Sequence, residues 1–230
     1  MIEFDRVGHA FPDSGGGATT VLRDVTVHLS EHRIGVIGAN GSGKSTFARM
    51  LNALVVPSSG HVRIDGLDSA REARTIRRRV GFCFTDPDAQ IVMPTVQEDL
   101  AFSLRRWRLP KDEVTRRVDA ALDSYGLRAH RAQPAHLLSG GQKQLLALAA
   151  VLITDPELVV MDEPTTLLDL ANTQRIRDLV SRLAPQVVLA THHLDLLTGF
   201  DRVLVLHEGR LVFDGEPAEA IGHYQALVLS

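Results

Sequence analysis

The stretch Gly38-Ala39-Asn40-Gly41-Ser42-Gly43-Lys44-Ser45 decides the interpretation of the chain, because it matches the P-loop pattern at every fixed position. Its glycines let successive backbone N–H groups point at one anion, and the helix that follows adds its positive end. Lys44 can reach the β- and γ-phosphates of a nucleotide, and Ser45 is placed to bind Mg²⁺. The alternative is an ordinary turn. The predicted nucleotide contacts are Asn40, Gly41, Ser42, Gly43, Lys44, Ser45 and Thr46.

The residues on either side of this loop favour phosphate binding over the ordinary turn. Ile34 to Ile37 form a short apolar run that fits a buried strand. Thr46 to Leu54 are predicted to form a helix that packs its apolar side chains on the core. A strand, a glycine-rich loop and a helix in this order are the context that a P-loop requires. The predicted apolar face of the helix consists of Phe47, Met50, Leu51 and Leu54.

The composition gives no general reason to expect a nucleic-acid partner. The 230 residues carry a formal net charge of −3, so any nucleic acid would have to bind a local basic patch. Five arginines between positions 71 and 79 form such a cluster, but no aromatic side chains lie among them to stack on bases. We interpret that cluster as a solvated helix face. The single cysteine, Cys83, lies in an apolar run and is predicted to be a buried thiol in a reducing cytoplasm.

The sequence also lacks the patterns of secretion and of membrane insertion. Glu3 and Asp5 stand where a secretion signal would have basic residues. The longest apolar run, Leu145 to Ile153, is far shorter than the roughly twenty residues of a membrane helix. We therefore expect a cytoplasmic protein that reaches a membrane only through a partner.

Strands and helices alternate along most of the chain, which indicates an α/β fold. Residues 2–29 are predicted to form an antiparallel hairpin, and residues 203–213 a closing hairpin. Between them, the apolar runs Leu158 to Met161 and Val187 to Ala190 are separated by a helical stretch. Such alternation predicts a parallel sheet that binds ligands at the carboxyl ends of its strands.

Polar residues follow two of these predicted strands. Asp162 and Glu163 come directly after the first run, where Asp162 can hold Mg²⁺ and Glu163 can orient the water that attacks the γ-phosphate. The second run leads into Thr191 and His192, so a histidine emerges beside these carboxylates. A purely structural histidine cap is the alternative for His192.

A second glycine-containing peptide precedes a strongly helical segment. Leu138-Ser139-Gly140-Gly141-Gln142 offers a hydroxyl and bare glycine amides at the amino end of the helix that follows. These groups can bind an anion, although serine is also a good N-cap for an ordinary helix.

Taken in order, the P-loop, the Leu-Ser-Gly-Gly-Gln peptide, the Asp-Glu pair and the Thr-His pair resemble the ATP-binding-cassette (ABC) ATPases. The resemblance implies an α/β P-loop NTPase (RecA-like) fold, with a mainly parallel sheet core, an antiparallel β subdomain and a helical subdomain. It covers residues 1–230 as a single ABC ATPase domain. The β subdomain and the RecA-like core would comprise residues 1–85 and 156–230, and the helical subdomain with the signature peptide would comprise residues 86–155.

The resemblance assigns roles to individual residues. In this family the signature peptide of one cassette covers the ATP held by the P-loop of another, so a dimer closes on ATP and opens after hydrolysis. Glu163 is implied to be the catalytic carboxylate, His192 the switch histidine and Phe11 the aromatic that stacks on adenine. Asp169 matches a loop that crosses the dimer interface, although Leu167 and Leu168 are bulkier than usual there. The implied signature contacts are Ser139, Gly140, Gly141 and Gln142.

A finer resemblance points to the energy-coupling-factor (ECF) branch of importer ATPases. It rests on Asp86-Pro87-Asp88-Ala89-Gln90 and on the stretch from Pro94 to Phe102. Members of this branch pair two ATPase subunits with an integral membrane coupling protein and a substrate-binding membrane protein. Three arginines close after this segment could contact the coupling protein, or could simply form a solvated helix face. They are Arg105, Arg106 and Arg108.

One position departs from the family pattern. The family usually has a glutamine that reaches Mg²⁺ and the water, and this chain has Thr85 there. The threonine hydroxyl is shorter, so binding of Mg²⁺ would need the loop to move inward or a water to bridge. We predict weaker Mg²⁺ binding or slower basal turnover than in a relative with glutamine, and we do not expect Gln90 to substitute.

The sequence therefore predicts an ATP- and Mg²⁺-dependent ATPase that energises an ECF-type importer from the inner face of the cell membrane. It would pair with a second ATPase subunit, identical or paralogous, and would not bind nucleic acid. Biotin is the first choice of micronutrient and cobalt or nickel the next. The alternatives are a soluble ABC ATPase that acts on nucleic acid or ribosomes, and a nucleotide-binding regulator that does not hydrolyse ATP.

Overall fold

The computed structural model describes residues 1–13, 15–166 and 168–229, and these residues form two sheets with helices around them. The smaller sheet is antiparallel, with the strand order β2-β1-β4-β5. Glycines 15–17 turn the chain between β1 and β2, as predicted for the first hairpin. Its strands are β1 (Ile2–Pro12), β2 (Ala18–Leu29), β4 (Ser59–Ile64) and β5 (Leu67–Asp68).

The larger sheet has the order β10-β9-β3-β8-β7-β6. Five strands run parallel and β10 pairs antiparallel with β9, so the predicted parallel sheet and the closing hairpin are both confirmed. Parallel strands that are covered on both faces read as continuous apolar runs, which is why their sequence signal is clear. Its strands are β3 (Arg33–Ile37), β6 (Val80–Cys83), β7 (Leu158–Asp162), β8 (Gln186–Ala190), β9 (Arg202–His207) and β10 (Arg210–Gly215).

Alternate residues of each strand face opposite sides of the larger sheet. In β7, Leu158 and Val160 join the core shared with the antiparallel sheet, while Val159 and Met161 pack on the opposite side with helices. A third apolar cluster, built from residues between 91 and 153, lies among the helices. That clustering supports the predicted helical subdomain. The helices are α1 (Lys44–Leu51), α2 (Ala73–Arg79), α3 (Val96–Ser103), α4 (Lys111–Ser124), α5 (Gly140–Leu152), α6 (Leu170–Val180) and α7 (Pro217–Leu229).

The structure corrects the helix predicted over Thr46 to Leu54. Helix α1 ends at Leu51, because Ala53 adopts a left-handed conformation with φ of 51° that no helix interior allows. Leu54 was expected to pack on the core, but 44% of its surface is exposed. The predicted burial of Cys83 is confirmed, since the side chain is fully buried and burial raises its pKa to about 12.

Candidate ATP-hydrolysis site

The P-loop connects the carboxyl end of β3 to α1 and surrounds its own lysine. Gly43 has φ of 103°, and a Cβ there would lie 2.7 Å from the Leu22 side chain, so only glycine fits. Lys44 is 95% buried and its Nζ donates hydrogen bonds to the carbonyl oxygens of Gly38 (2.7 Å) and Ala39 (3.1 Å). The loop therefore curls around an ammonium group, with the backbone at the start of α1 facing the same space.

The two carboxylates lie at the end of β7 beside this loop. The Ser45 Oγ donates a hydrogen bond of 2.9 Å to one carboxylate oxygen of Asp162, which is almost fully buried. Glu163 adopts a left-handed conformation with φ of 52°, and its Oε1 lies 3.8 Å from the Lys44 ammonium. Strained backbone of this kind is concentrated at functional sites. The P-loop and the acidic pair, 117 residues apart, thus form one site.

His192, at the end of β8, completes this group. Its Nδ1 lies 2.7 Å from Glu163 Oε2, and its backbone N–H donates to the same oxygen at 3.3 Å. The Thr166 hydroxyl also donates to Oε2, again at 3.3 Å. These contacts fix one oxygen of the Glu163 carboxylate and leave the other facing Lys44, where it can accept a hydrogen bond from a water molecule.

Burial shifts the ionisation of the two most deeply buried charges of this site. It raises the pKa of the Asp162 carboxyl, an effect that Ser45 and Arg49 partly offset. It lowers the pKa of Lys44, although Glu163 and Asp162 favour its charged form. Both shifts reflect charges that are only partly compensated without a ligand. A phosphate group and a cation would supply the missing opposite charges.

The oxygens at this site suit Mg²⁺. The Oδ2 of Asp162 is buried and has no hydrogen-bond partner among the residues that the structure describes. Together with the Ser45 hydroxyl it offers two hard oxygen donors, and Mg²⁺ usually takes one or two protein ligands beside phosphate oxygens and waters. The described ranges contain no cluster of three or more His, Cys, Asp or Glu side chains that could hold a metal ion on its own.

Thr85, the position that departs from the family pattern, lies next to the carboxylates, but its hydroxyl group does not donate to either of them. Its Oγ1 donates a hydrogen bond of 2.8 Å to the backbone carbonyl of Asp162. Gln90 is also occupied, since its side chain accepts from the Phe84 N–H (3.1 Å) and donates to the Ala147 carbonyl (2.8 Å). Gln90 therefore ties β6 to α5 and faces away from the carboxylates. Sequence reasoning missed these three hydrogen bonds, which depend on the tertiary contact between β6, β7 and α5.

The structure does not bring the signature peptide into contact with the P-loop of the same chain. Ser139 is the N-cap of α5, and its side chain and that of Gln142 form a capping box. Gly141 is buried, and a Cβ there would lie 2.3 Å from the Asn172 side chain. Ser139 and Gly140 are exposed, so this helix end, the second predicted anion site, faces outward.

Phe11 lies near the end of β1 and is 41% exposed, with its ring edge against His9 at a centroid distance of 4.5 Å. Asp169 is the N-cap of α6 and accepts a hydrogen bond from the Asn172 N–H at 2.8 Å. Leu168 is half-buried against the core, and Leu167, the other bulky residue of that loop, lies outside the described residues.

With this geometry in place, comparison with known proteins identifies the family. The model of the ABC transporter family matches residues 22–166. This chain belongs to that family. The match runs from β2 to Thr166, so it includes the P-loop, the signature peptide and Glu163.

Curated relatives refine the assignment. A putative ABC transporter ATP-binding protein of Deinococcus radiodurans is 51% identical over 98% of this chain and 97% of its own length. The biotin transport ATP-binding protein BioM of Rhizobium etli is 43% identical, with 98% of each chain covered. An energy-coupling factor transporter ATP-binding protein of Caldanaerobacter subterraneus is 35% identical over 99% of this chain and 84% of the relative.

Solved structures agree with the sequence relatives. The cbiO1 protein of Clostridium perfringens, described as part of the ABC transporter complex cbiONQ, superimposes with a TM-score of 0.84 and 30% identity. The match covers 99% of this chain and 92% of that protein. The chain is therefore an ATP-binding subunit of an ECF-type ABC importer, with ATP hydrolysis coupled to transport. Over the described ranges, no helix is long and apolar enough to cross a membrane.

Proposed function

We propose that this chain hydrolyses ATP at the site formed by the P-loop, Asp162, Glu163 and His192, and that it thereby drives uptake of biotin. The observation that carries the proposal is the convergence of Lys44, Glu163 and His192 at the ends of three neighbouring elements. The choice of biotin is supported by the likeness to the Rhizobium etli BioM protein along nearly the whole chain. Uptake of cobalt or nickel is the next candidate.

The geometry suggests how the residues divide the reaction. Lys44 and the P-loop amides would hold the β- and γ-phosphates, so that negative charge developing on them is met by fixed donors. Glu163 would orient water through the carboxylate oxygen that faces Lys44. His192 would hold the other carboxylate oxygen and sense the γ-phosphate. The attacking oxygen bonds to the γ-phosphorus as the bond to the β–γ bridging oxygen breaks, which leaves ADP and phosphate.

Mg²⁺ would be held by Ser45 and Asp162 and would neutralise charge on the phosphate oxygens when bound. Asp162→Asn tests this assignment, because the amide keeps the hydrogen bond from Ser45 but removes the negative charge. In the unsubstituted chain, Mg²⁺ together with ATP should raise the melting temperature above its value with ATP alone. We expect the variant to lose this additional rise, measured by thermal unfolding. An undiminished Mg²⁺-dependent shift would contradict the assignment.

Two half-sites in separate chains would complete the nucleotide pocket. The exposed helix end at Ser139, Gly140, Gly141 and Gln142 would cover the γ-phosphate bound to the partner's P-loop, and Phe11 would stack on the adenine. The proposed partner is a second ATPase subunit, either identical or a paralogue. The outward direction of the signature peptide supports this arrangement, since its own P-loop does not use it.

A basic cleft is the proposed docking surface for the integral membrane coupling protein. The cleft has a volume of about 1000 Å³ and lies between α2, α3 and the turn after α3. Arg106 stacks over the Trp107 ring at 4.0 Å, and burial together with Arg78 lowers the pKa of Arg106. None of the six arginines there has a carboxylate partner among the described residues. They are Arg74, Arg77, Arg78, Arg105, Arg106 and Arg108.

The decisive experiment is purification of the tagged chain from its native membranes in mild detergent, with mass spectrometry of the proteins that accompany it. We expect a coupling protein and a substrate-binding membrane protein, which would place the chain on the cytoplasmic face of the membrane. Arg105→Glu/Arg106→Glu should lose both partners, whereas Arg210→Glu, on exposed β10, should retain them. Accumulation of labelled biotin by cells that carry the complex identifies the substrate, and accumulation of cobalt without biotin would contradict it.

The soluble alternative makes a different prediction for the same purification. An ABC ATPase that acts on ribosomes or nucleic acid would bring ribosomal proteins or RNA with it. The named relatives are transporter subunits, which does not favour this alternative.

A further inference from the structure

Gln142 of the signature peptide is held by hydrogen bonds on both sides of its amide. The backbone N–H of Ser139 donates to the Gln142 Oε1 at 2.9 Å, and an N–H can only donate. The oxygen of the amide is therefore the atom facing Ser139. The amide nitrogen must face His130, whose Nε2 lies 2.9 Å away.

The other nitrogen of the His130 ring is fixed in the same way. Its Nδ1 lies 2.6 Å from the Gln133 Oε1, and the Gln133 Nε2 donates to the backbone carbonyl of Leu137 at 3.3 Å. A carbonyl can only accept, so Gln133 must present its oxygen to His130. The series of hydrogen bonds thus begins at the Ser139 N–H and ends at the Leu137 carbonyl. Because the first group can only donate and the last can only accept, each bond has one possible direction.

We propose that neutral His130, with its proton on Nδ1, is a positioning residue for the signature peptide and that protonation of His130 releases Gln142. This inference rests on the proposed function, in which Gln142 acts on ATP held by the partner. A protonated ring carries N–H groups on both nitrogens, so an N–H would face the Gln142 NH₂. Rotating that amide would repair the contact with His130 but would place two donors together at Ser139.

The surroundings allow His130 to exchange protons with water. It is half-buried and lines a cavity of about 660 Å³ between the end of α4, the start of α5 and α6. The other titratable or charged groups that line this cavity are Tyr125, Arg175, Asp178 and Arg182. On its own turn and on α4, Arg128 and Arg131 are paired with Asp119 and Asp123.

The substitution His130→Gln distinguishes the positioning of Gln142 by residue 130 from the effect of protonating His130. A glutamine side chain offers one donor and one acceptor, as neutral histidine does, but it does not titrate. His130→Gln should keep ATPase turnover at pH 8 within about threefold of the unsubstituted chain, whereas His130→Leu should lower it about tenfold, the cost of one orienting hydrogen bond. The ratio of turnover at pH 8 to that at pH 6 should be smaller in both variants than in the unsubstituted chain.

A matched control is His136, six residues along the chain. It is exposed and its side chain makes no hydrogen bond within the ranges described, so His136→Leu should change neither turnover nor its pH ratio. The binding of a fluorescent ATP analogue to the P-loop should be the same in all variants, because Gln142 acts on the other chain. A pH ratio unchanged by His130→Gln would overturn the proposal.

A second measurement does not depend on ATPase activity. Long-range ¹H–¹⁵N spectra at pH 8 distinguish a protonated Nδ1 from a protonated Nε2, and the signals missing in His130→Gln assign this ring. We expect a protonated Nδ1 and a bare Nε2. A protonated Nε2 would overturn the inference. If the chain hydrolysed no ATP, the proposed function would fail, and the tautomer would still decide the question for His130.

Discussion

The P-loop half-site, Gly38 to Ser45 with the carboxylates beside it, and the signature half-site, Ser139 to Gln142, both lie at the amino end of a helix, yet they are built differently. In the first, Lys44 and Asp162 are buried, and Glu163 lies 3.8 Å from the lysine. In the second, Ser139 and Gly140 are exposed, and only neutral groups cap the helix. One half holds charges that the fold has already desolvated, and the other offers uncharged donors to solvent.

Under the proposed function, this difference explains why the P-loop half would bind nucleotide alone while the signature half would need a partner chain. Burial raises the pKa of Asp162 and lowers the pKa of Lys44. Binding of a cation beside Asp162 and of phosphate beside Lys44 therefore stabilises both charged forms. The signature peptide has no buried charge to compensate. Its amides gain most when a second chain brings the phosphate and excludes water around it.

The largest effect is expected from Glu163→Gln, which alters only the first half-site. Loss of a positioned catalytic group should lower turnover about 10²-fold or more, while the P-loop still binds ATP. Steady-state ATPase assays and binding of a fluorescent ATP analogue measure the two quantities. Glu219→Gln, at an exposed position of α7, is the control and should behave like the unsubstituted chain. Undiminished turnover would remove Glu163 from its assigned role.

Gly141→Ala should produce a smaller loss that originates in the second half-site. The added Cβ would meet the Asn172 side chain at 2.3 Å, so that side chain or the start of α5 has to shift. Displacing an anion-binding helix end by a fraction of an ångström should lower turnover about ten- to hundredfold. Binding of ATP by the isolated chain should remain, in contrast to Lys44→Ala, which should lose it.

The control for this substitution lies in α7. A Cβ at Gly222 would have nothing within 4 Å, so Gly222→Ala should leave turnover unchanged. If Gly141→Ala and Gly222→Ala behaved alike, the second half-site would have no part in hydrolysis.

The smallest effect is expected from Thr85→Gln. The longer side chain can reach Mg²⁺ and the attacking water, but the substitution removes the hydrogen bond from Thr85 to the carbonyl of Asp162. We expect the apparent affinity for Mg²⁺, or turnover, to rise about two- to tenfold, the range of one net hydrogen bond. Titration of ATPase activity with Mg²⁺ tests this. Unchanged affinity and turnover would show that Thr85 costs the enzyme nothing.

The sequence predicted the parts of this molecule whose signal is local. The P-loop, the apolar strands and the residues that follow them are short contiguous patterns, and parallel strands bring their carboxyl ends to one edge. The approach of Glu163 to Lys44 and of Asp162 to Ser45 could therefore be expected, and the structure shows both contacts. The order of the motifs along the chain carried the family resemblance, which the comparisons confirm.

Other features depend on tertiary contacts that no local pattern reveals. The direction of the Thr85 hydrogen bond is set by the neighbouring end of β7, and the contact between His130 and Gln142 joins residues twelve positions apart through a turn. Helix α7 was not predicted, because its apolar side chains follow no clear stripe in the sequence. In the structure, Ala220 is its one buried residue among those described.

Sedimentation of the Glu163→Gln chain with and without ATP tests most directly the claim that two half-sites of different chains form one ATPase site. We predict a monomer without ATP and a dimer with ATP, because the variant binds nucleotide and does not release the closed state by hydrolysis. Adding Gly141→Ala should prevent the dimer while ATP stays bound. A monomer with bound ATP, or equal dimerisation of the doubly substituted chain, would contradict the account.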